Sequence, residues 1–308
     1  MQKDAKYTKS DRPHRQVAVL GAGTMGSAIA RRLLACGFCV RAWDRNGASL
    51  RALAPAGAMT FSDPRTAVRT AGVVLTLLPT AEVVSAAIVD AGVLDAMEIG
   101  TVWAQMGTIG VEGTHRLAED VRTRNQGVLF VDAPVSGSRV PAETGQLLIL
   151  ASGPEEAKAS AEPVFGALGR STLWLGPAGS GSRMKLVLNT WLAFETEAAA
   201  ESAALAERFG IRTEDLTAAL RGNPLASDYA LAKLGSMIGG DYHADFSLDL
   251  ALKDLDLVGA EAPGVAPVAG VIASRWRELV RAGCGGSDVS AARNGLGPVQ
   301  SGKAGGTT

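Results

Sequence analysis

The amino-acid sequence of 308 residues predicts an α/β fold with an N-terminal, doubly wound parallel sheet, a long interdomain helix and an all-helical C-terminal domain. Three observations predict this arrangement. Apolar strands alternate with helical segments from residue 16 to about 176, a glycine-rich turn joins the first strand to the first helix, and 182–209 contains neither proline nor glycine. We expect a sheet domain at 16–178, a helical domain at 179–293, and flexible segments at 1–15 and 294–308.

The first strand and the turn after it carry the most informative motif. Val17–Leu20 is apolar, as in a buried strand, and it runs into a six-residue motif at the start of a helix, Gly21-Ala22-Gly23-Thr24-Met25-Gly26. Gly21 permits a tight turn, Gly23 lets the backbone approach a pyrophosphate, and Gly26 lets helix and strand pack closely. The helix N-terminus offers N–H groups and a partial positive charge to phosphates. A flexible glycine loop is the alternative, but the order of strand, turn and helix favours a dinucleotide-binding Rossmann domain.

The second strand bears on which dinucleotide is bound. Phe38–Trp43 ends at Asp44, about 20 residues past the glycines, where an acid that binds the ribose is expected. Asp44 would repel a 2′-phosphate, which favours NAD. Arg45 follows at once and Arg41 is nearby, and an arginine at this place pairs with a 2′-phosphate, which favours NADP. The residues alone leave both cofactors open.

The remaining elements are predicted from hydrophobic periodicity and from helix and strand breakers. Further strands are expected in the same sheet at Val73–Leu78, Thr101–Ala104, Val128–Val131 and Leu147–Leu150. Helices are expected between them at Ala81–Val89 and Val111–Arg124. The long helix should cover Ser182–Phe209, about 40 Å at 1.5 Å per residue, with the domain boundary near Pro177-Ala178-Gly179. Shorter helices are predicted after it at Thr213–Leu220, Leu225–Met237, Leu248–Glu261 and Val268–Ala282.

Composition and charge exclude several classes of protein. A net charge of −1 gives no reason to expect nucleic acid or an anionic membrane as a partner. The segment Met1–Arg15 has no apolar region typical of a secretory signal, and no stretch approaches the ~18 apolar residues of a membrane span. We therefore expect a cytoplasmic protein. The chain has three cysteines and three histidines, and their spacing predicts neither a disulfide framework nor a metal site. We expect the cysteines to be buried and reduced. These residues are Cys36, Cys39, Cys284, His14, His115 and His243.

Three loops follow strands of the sheet domain and are candidate binding loops. Ligands of doubly wound sheets lie at the carboxyl ends of strands, so Leu78-Pro79 and Thr108 are placed to wall a nicotinamide, although a proline there also simply ends a strand. The loop that begins at Asp132 contains Ser136-Gly137-Ser138, whose hydroxyl and backbone donors suit a carboxylate. An ordinary turn explains the same residues equally well.

Two lysines stand in apolar segments. Lys185 and Asn189 are four residues apart and share one helix face, among Met184, Leu186, Val187 and Leu188. An embedded lysine has a costly charge, and burial lowers its pKa, so Lys185 is a candidate acid or base. A lysine that snorkels at a domain edge is the alternative. Lys253-Asp254 is a second charged pair in an apolar helix, and a surface ion pair explains it as simply.

Together these features resemble the β-hydroxyacid dehydrogenases over roughly Val17–Ser290. This family includes 3-hydroxyisobutyrate dehydrogenase and is related to the NAD-binding domain of 6-phosphogluconate dehydrogenase. The resemblance rests on the glycine loop, Leu78-Pro79, the run from Asp132 to Gly137, Gly179-x-Gly181-x-x-x-Lys185-x-x-x-Asn189 and Lys253-Asp254-Leu255. It implies hydride transfer between NAD(P) and a small β-hydroxy acid or the corresponding semialdehyde, by an enzyme that forms a homodimer or higher homo-oligomer through its helical domain.

The resemblance also implies roles for individual residues. It makes Lys185 the proton donor or acceptor, with Asn189 orienting the substrate. Ser136 and Gly137 would hold the substrate carboxylate, and Lys253 would lie near nicotinamide and substrate. The sequence departs from the family at three positions of the pocket or its rim. These are Thr190 in place of a second Asn, Ser138 in place of a glycine and Gly107 in place of a serine.

Two features of the resemblance bear on the cofactor and on alternative activities. NADP-using members typically have Asn where Asp44 stands and Arg where Arg45 stands; the arginine matches, so NADP(H) is slightly favoured over NAD(H). The imine reductases resemble this family but usually lack its lysine, and a non-catalytic nucleotide-binding module would also be expected to lose it. Lys185 therefore counts against both alternatives.

Overall fold

A six-stranded, wholly parallel sheet organises the first half of the chain in the computed structural model, which describes residues 16–297. The spatial order of its strands is β3-β2-β1-β4-β5-β6. The strands are β1 (Gln16–Leu20), β2 (Cys39–Trp43), β3 (Met59–Phe61), β4 (Val73–Thr76), β5 (Val102–Gln105) and β6 (Leu129–Asp132). Because the strand order reverses between β1 and β4, a crevice for ligands opens at the carboxyl ends of these two strands.

Both faces of this sheet are covered, as its apolar strands predict. Side chains alternate along β1: Val17 and Val19 belong to one buried cluster, and Ala18 and Leu20 to another. The helices between the strands are α1 (Thr24–Ala35), α2 (Gly47–Leu53), α3 (Pro64–Val68), α4 (Ala81–Val84) and α5 (Val111–Arg124). A π-helical turn, Ser85–Asp90, continues α4. The predicted doubly wound α/β fold is confirmed.

A second, three-stranded sheet follows β6, and it corrects one prediction. Its order is β7-β8-β9, formed by β7 (Val135–Ser136), β8 (Leu147–Ala151) and β9 (Gly169–Trp174), with α6 (Arg139–Thr144) and α7 (Lys158–Leu168) between them. The prediction that Leu147–Leu150 forms a strand of the large sheet is therefore wrong, because this strand belongs to the small sheet. The chain reverses between β7 and β8, which pair antiparallel. An apolar pattern shows that a strand is buried without showing which sheet it joins.

The rest of the chain is helical. The long helix α8 spans Ser180–Arg208, and a 3₁₀ segment, Val289–Arg293, follows the last helices. These are α9 (Thr213–Leu220), α10 (Asp228–Gly239), α11 (Leu248–Glu261) and α12 (Pro267–Leu279), the last continued by a π-helical turn, Val280–Cys284. Trp276 is fully buried in the apolar cluster of this region. The chain divides into two compact units, Met1–Leu188 and Asn189–Thr308, so the division falls within α8, beyond Pro177-Ala178-Gly179.

The cysteines differ from expectation. Cys36 and Cys39 are exposed and Cys284 is half-buried, so the prediction of buried thiols is wrong for the first two. Both lie where α1 turns into β2, and a connection of this kind runs over the surface. All three thiols are free. The predicted flexible segment 1–15 lies outside the described residues, as do 298–308, whereas Leu296 packs against the C-terminal apolar cluster.

Within residues 16–297, no helix is both long and apolar enough to cross a membrane. The same range contains no group of three or more His, Cys, Asp or Glu side chains placed to hold a metal ion.

Candidate active site

The glycine loop between β1 and α1 has room for a ligand at one of its three glycines. Gly21 has φ +100°, and a Cβ there would lie 2.6 Å from Leu77 O. A Cβ on Gly26 would lie 1.8 Å from Gly21 O, so only glycine lets the helix start so close to the turn. A Cβ on Gly23 would meet no atom within 4 Å. This open space, at the N-terminus of α1, fits a pyrophosphate bound by backbone N–H groups.

The carboxylate of Asp44, at the end of β2, is held by backbone groups of this chain. Its Oδ2 accepts a hydrogen bond from Ala22 N in the glycine loop at 2.5 Å, and its Oδ1 accepts one from Asn46 N at 2.6 Å. Both oxygens thus stabilise the turns that surround the predicted nucleotide site. Arg45 is exposed beside it.

The second arginine near this strand has a different place. The guanidinium of Arg41 donates from Nε to Ala67 O and from Nη2 to Thr66 O, each at 2.7 Å, and it stacks 4.3 Å from the centroid of the Phe61 ring. These contacts tie α3 to β2. Two arginines were considered as partners of a 2′-phosphate. The guanidinium of Arg41 is instead bound within the protein.

A buried chain of hydrogen bonds joins the carboxyl ends of β4 and β5. Trp103 Nε1 donates to Thr76 Oγ1 at 3.1 Å, Thr76 Oγ1 donates to Gln105 Oε1 at 2.5 Å, and Gln105 Nε2 donates to Gly107 O at 3.0 Å. Gly107 approaches Leu78 so closely that a Cβ on it would lie 2.4 Å from Leu78 O. The two loops that contain Leu78-Pro79 and Thr108 are thus packed on one another.

The candidate carboxylate loop lies at the edge of the small sheet. Ser136 is half-buried in β7 and pairs with Leu148 of β8. Gly137 has φ +127°, and a Cβ there would lie 2.9 Å from Leu147 Cδ2, so the turn requires glycine. Ser138 stands at the N-cap of α6. The loop presents its two serines beside an exposed glycine backbone, as the binding of an anion would require.

Lys185 lies in the second turn of α8 and is half-buried. The expectation that apolar neighbours embed it is only partly correct. Leu186 is buried, but Met184 and Val187 are 37% and 64% exposed. Helical periodicity explains the difference, because 184 and 187 share a face that 185 does not occupy. Lys185 shares its face with Asn189, one turn later, and Asn189 is buried.

In the C-terminal unit, a buried acid organises the second group of predicted residues. Asp254 is 2% exposed and its Oδ2 accepts a short hydrogen bond from Asn189 Nδ2. Lys253 Nζ lies 2.9 Å from Asp254 Oδ1, an ionic contact without hydrogen-bond alignment. A surface ion pair is thus the wrong interpretation of Lys253-Asp254. Asp254 was missing from the predicted site residues. The sequence feature that could have identified it is an acidic residue among apolar positions of a helix.

A second buried acid was also missing from the predicted site residues. Asp132, at the end of β6, is fully buried, and burial raises the pKa of its carboxyl group. Its carboxylate contacts the start of α8. The sequence signal was its place at the head of the loop that contains Ser136.

Comparisons with known proteins agree with this architecture. A family model described as the NAD binding domain of 6-phosphogluconate dehydrogenase matches residues 16–176. One described as NAD-binding of NADP-dependent 3-hydroxyisobutyrate dehydrogenase matches residues 179–295. Glyoxylate/succinic semialdehyde reductase 1 of Arabidopsis thaliana is 30% identical over 280 residues, which cover 90% of this chain and 96% of that relative.

Two solved structures illustrate the structural similarity. The 3-hydroxyisobutyrate dehydrogenase of Mycobacterium tuberculosis, solved with L-serine, is 29% identical with a TM-score of 0.80, covering 90% of this chain and 97% of that one. An imine reductase from Pseudomonas sp. is 23% identical with a TM-score of 0.60, covering 90% of this chain and 97% of that one, and it shares the fold.

Proposed function

This chain belongs to the β-hydroxyacid dehydrogenase family and is an NAD(P)-dependent oxidoreductase of small β-hydroxy acids, and we propose that Lys185 is the acid and base of its reaction. One observation carries the proposal: a half-buried lysine stands one helical turn before a buried asparagine whose side chain is already oriented by Asp254. A cation with a buried hydrogen-bonding group on the same helix face suits proton transfer at a fixed point.

The chemistry divides between the cofactor and the protein. The nicotinamide supplies the site that accepts or gives the hydride. Lys185 Nζ removes the hydroxyl proton when the hydroxy acid is oxidised and returns it when the carbonyl is reduced. Positioned acid–base catalysis of this kind contributes roughly 10²- to 10⁴-fold. Asn189 Nδ2 donates one of its two N–H groups to Asp254, which holds the amide in place to orient the substrate.

The substrate in this proposal is a small carboxylic acid. Ser136, Gly137 and Ser138 supply hydroxyl and backbone donors for the carboxylate, and Lys253 adds positive charge. The two similar proteins described above are named for glyoxylate, succinic semialdehyde and 3-hydroxyisobutyrate, all of which are small acids.

An assay panel tests the substrate class. Free 3-hydroxy acids, the semialdehydes and their methyl esters are compared with both cofactors, and cyclic imines are included. We expect the esters to be turned over at least about 100-fold less efficiently than the acids, because the carboxylate loses its charge-assisted hydrogen bonds. Esters as good as the acids, or imines better than both, would contradict the proposal.

The cofactor proposed is NADP(H), slightly favoured over NAD(H). Because Asp44 uses both oxygens on Ala22 N and Asn46 N, its carboxylate has less capacity to bind a ribose hydroxyl. The exposed Arg45 is the cation next to it, and a planar guanidinium suits a 2′-phosphate. The NADP-dependent description of the second family model agrees with this preference.

The proposed assembly is a homodimer formed through the helical unit. Trp191 lies on α8 and is 65% exposed, and Phe209, which directly follows the last residue of α8, is 72% exposed. Leu205, between them on α8, is 54% exposed. Such a row of large apolar side chains is typical of a surface that a second copy covers. Light scattering should give a dimer that Trp191→Glu with Phe209→Glu converts to a monomer, whereas Leu225→Glu, at an exposed position outside α8, does not. A monomeric wild type would contradict the proposal.

A further inference from the structure

One buried carboxylate joins the strand that precedes the substrate loop to the helix that carries Lys185. Asp132 ends β6 and is fully buried. Its Oδ2 accepts hydrogen bonds from Ser182 N at 2.8 Å, Ser152 Oγ at 3.0 Å and Gly179 N at 3.1 Å, and its Oδ1 accepts one from Ser182 Oγ at 2.8 Å. The next residues of the chain after Asp132 lead directly into the loop that contains Ser136.

The start of α8 is packed closely against the strands. A Cβ on Gly181 would lie 2.1 Å from Leu150 O and 3.1 Å from Asp132 O, so α8 begins directly against the strands. Gly181 N also donates to Ser152 Oγ at 2.9 Å, and Ser182 Oγ lies 2.9 Å from Thr114 Oγ1 of α5. The first turn of α8 is therefore fixed by its backbone and side chains at once.

The same carboxylate places a negative charge next to the turn of Lys185. Ser182 and Lys185 are three residues apart and share a face, and helical side chains lean toward the helix N-terminus. Lys185 thus follows, on the same face of α8, the turn that Asp132 binds. A cation near a helix N-terminus is disfavoured by the macrodipole, and a buried acid at that end offsets this effect.

We propose that Asp132 is a positioning residue of the reaction, which fixes the turn of α8 that carries Lys185 relative to the carboxylate loop and sets, through its charge, the pH at which Lys185 exchanges its proton. This inference rests on the proposed role of Lys185. Within the described part of the chain, other charged or titratable groups near these turns belong to three elements: His115 of α5, Arg183 of α8 itself, and Lys253 and Asp254 of α11, reached through Asn189.

The variant Asp132→Asn separates charge from hydrogen bonding. Its amide oxygen retains the acceptor role of Oδ2 toward Gly179 N and Ser182 N, and its amide nitrogen donates to Ser182 Oγ, which then donates to Thr114. Loss of the negative charge favours the neutral amine. The limb of the pH–kcat profile, the sloping part that reports the protonation of Lys185, should therefore move to lower pH by about one unit in both reaction directions. The KM of the cofactor should stay unchanged.

A control and a second variant keep the test decisive. Thr101→Val removes a buried hydroxyl that bonds Ala71 O at the amino end of β5, so it lowers stability without moving the limb. Ser182→Ala keeps the charge of Asp132 but loses one bond to it; kcat should fall several-fold with the limb in place. Should Asp132→Asn not fold, Ser182→Ala decides the positioning role.

Two outcomes would overturn the inference: a folded Asp132→Asn enzyme whose limb stays where it is in the wild type, or a Ser182→Ala enzyme with unchanged kcat. Failure of the proposed function has a different signature. In that case Lys185→Ala retains turnover and the wild-type limb, whatever Asp132→Asn does.

Discussion

The side-chain amide of Asn189 donates a hydrogen bond to the buried carboxylate of Asp254, 65 residues later in the chain. This contact joins the long helix α8 to α11 within the C-terminal unit and brings Lys253 beside the same carboxylate at 2.9 Å. A buried carboxylate is costly unless its oxygens are paired, so the amide and the ammonium together make the acid tolerable in an apolar unit. Asn189 is therefore both a candidate substrate contact and a structural partner.

Asn189→Asp should show this dual role. It sets a second carboxylate against Asp254, and two such acids cannot both ionise cheaply. We expect a loss of about 2–4 kcal/mol in the free energy of unfolding at pH 7.5, decreasing at pH 5 as one acid takes up a proton. Urea unfolding at the two pH values measures it, with Asn189→Ala as the uncharged control. An Asp variant no less stable than the Ala variant at pH 7.5 would contradict this account.

Arg45→Ala should lower kcat/KM for NADP(H) by at least about tenfold, because a 2′-phosphate loses its guanidinium partner, while kcat/KM for NAD(H) changes little. Asp44→Ala should impair both cofactors similarly, because Ala22 N and Asn46 N lose their acceptor. Steady-state kinetics with both cofactors distinguish the two effects. A wild-type preference for NAD, or an NADP preference that survives loss of Arg45, would show that Arg45 does not read the phosphate.

Gly107 stands where the family normally has serine, and the structure accounts for the exchange. A Cβ on Gly107 would lie 2.4 Å from Leu78 O, so Gly107→Ser must displace the Leu78-Pro79 loop. We expect a loss of about 1–3 kcal/mol in stability and weaker cofactor binding. Gly166→Ser is the matched control, because a Cβ there meets no atom within 4 Å. Calorimetric titration with the cofactor and thermal unfolding measure both effects; cofactor affinity unchanged from wild type would count against this role for Gly107.

The pair of Lys233 and Asp288 should make the stability of the helical unit depend on pH. Burial alone would raise the pKa of Asp288, but the Lys233 ammonium at 2.7 Å and Ser290 N at 3.0 Å hold it below its usual value. An acid whose pKa is lowered by folding stabilises the folded state at pH values above its usual pKa. This stabilisation is lost as the pH falls through the lowered pKa. Lys233→Met should therefore cost about 3–5 kcal/mol at pH 7 and progressively less below pH ~4. Urea unfolding at several pH values measures this difference. If Lys233→Met lowered the free energy of unfolding by the same amount at every pH, the proposed effect of the Lys233–Asp288 pair on the pH dependence would be contradicted.

The sequence predicts elements best where local signals agree. The bounds of α5, α9 and α11 match the predicted ones, because periodic apolar residues end at clear breakers. Strand β3, Met59–Phe61, was missed because it is short and largely exposed, so it lacks an apolar run. Helix α10 begins at Asp228 rather than Leu225, because Ser227 accepts the capping hydrogen bond from Ala230 N.

In the candidate site, too, features set by local sequence were predicted and features set by distant partners were not. The steric demand on Gly26 comes from Gly21 O within the same motif, so the motif encodes it, whereas that on Gly21 comes from Leu77 O, far along the chain. The orientation of the Asp44 carboxylate and the burial of Asp254 depend on partners 22 and 65 residues away, which no local pattern specifies. Similarly, the exposure of Val187 beside Lys185 depends on which helix faces are covered, a tertiary property.

The role of Lys185 is tested most directly by removing its amine and then supplying one. Lys185→Ala should lower kcat by at least about 100-fold and leave the dissociation constant of the cofactor within about twofold of wild type. Arg183→Ala, an exposed cation two residues earlier, is the matched control and should keep wild-type kcat. Added ethylamine should restore part of the lost turnover in Lys185→Ala, in proportion to its free-base concentration. A Lys185→Ala enzyme that retains more than about a tenth of the wild-type kcat would contradict the assignment of Lys185 as the acid and base.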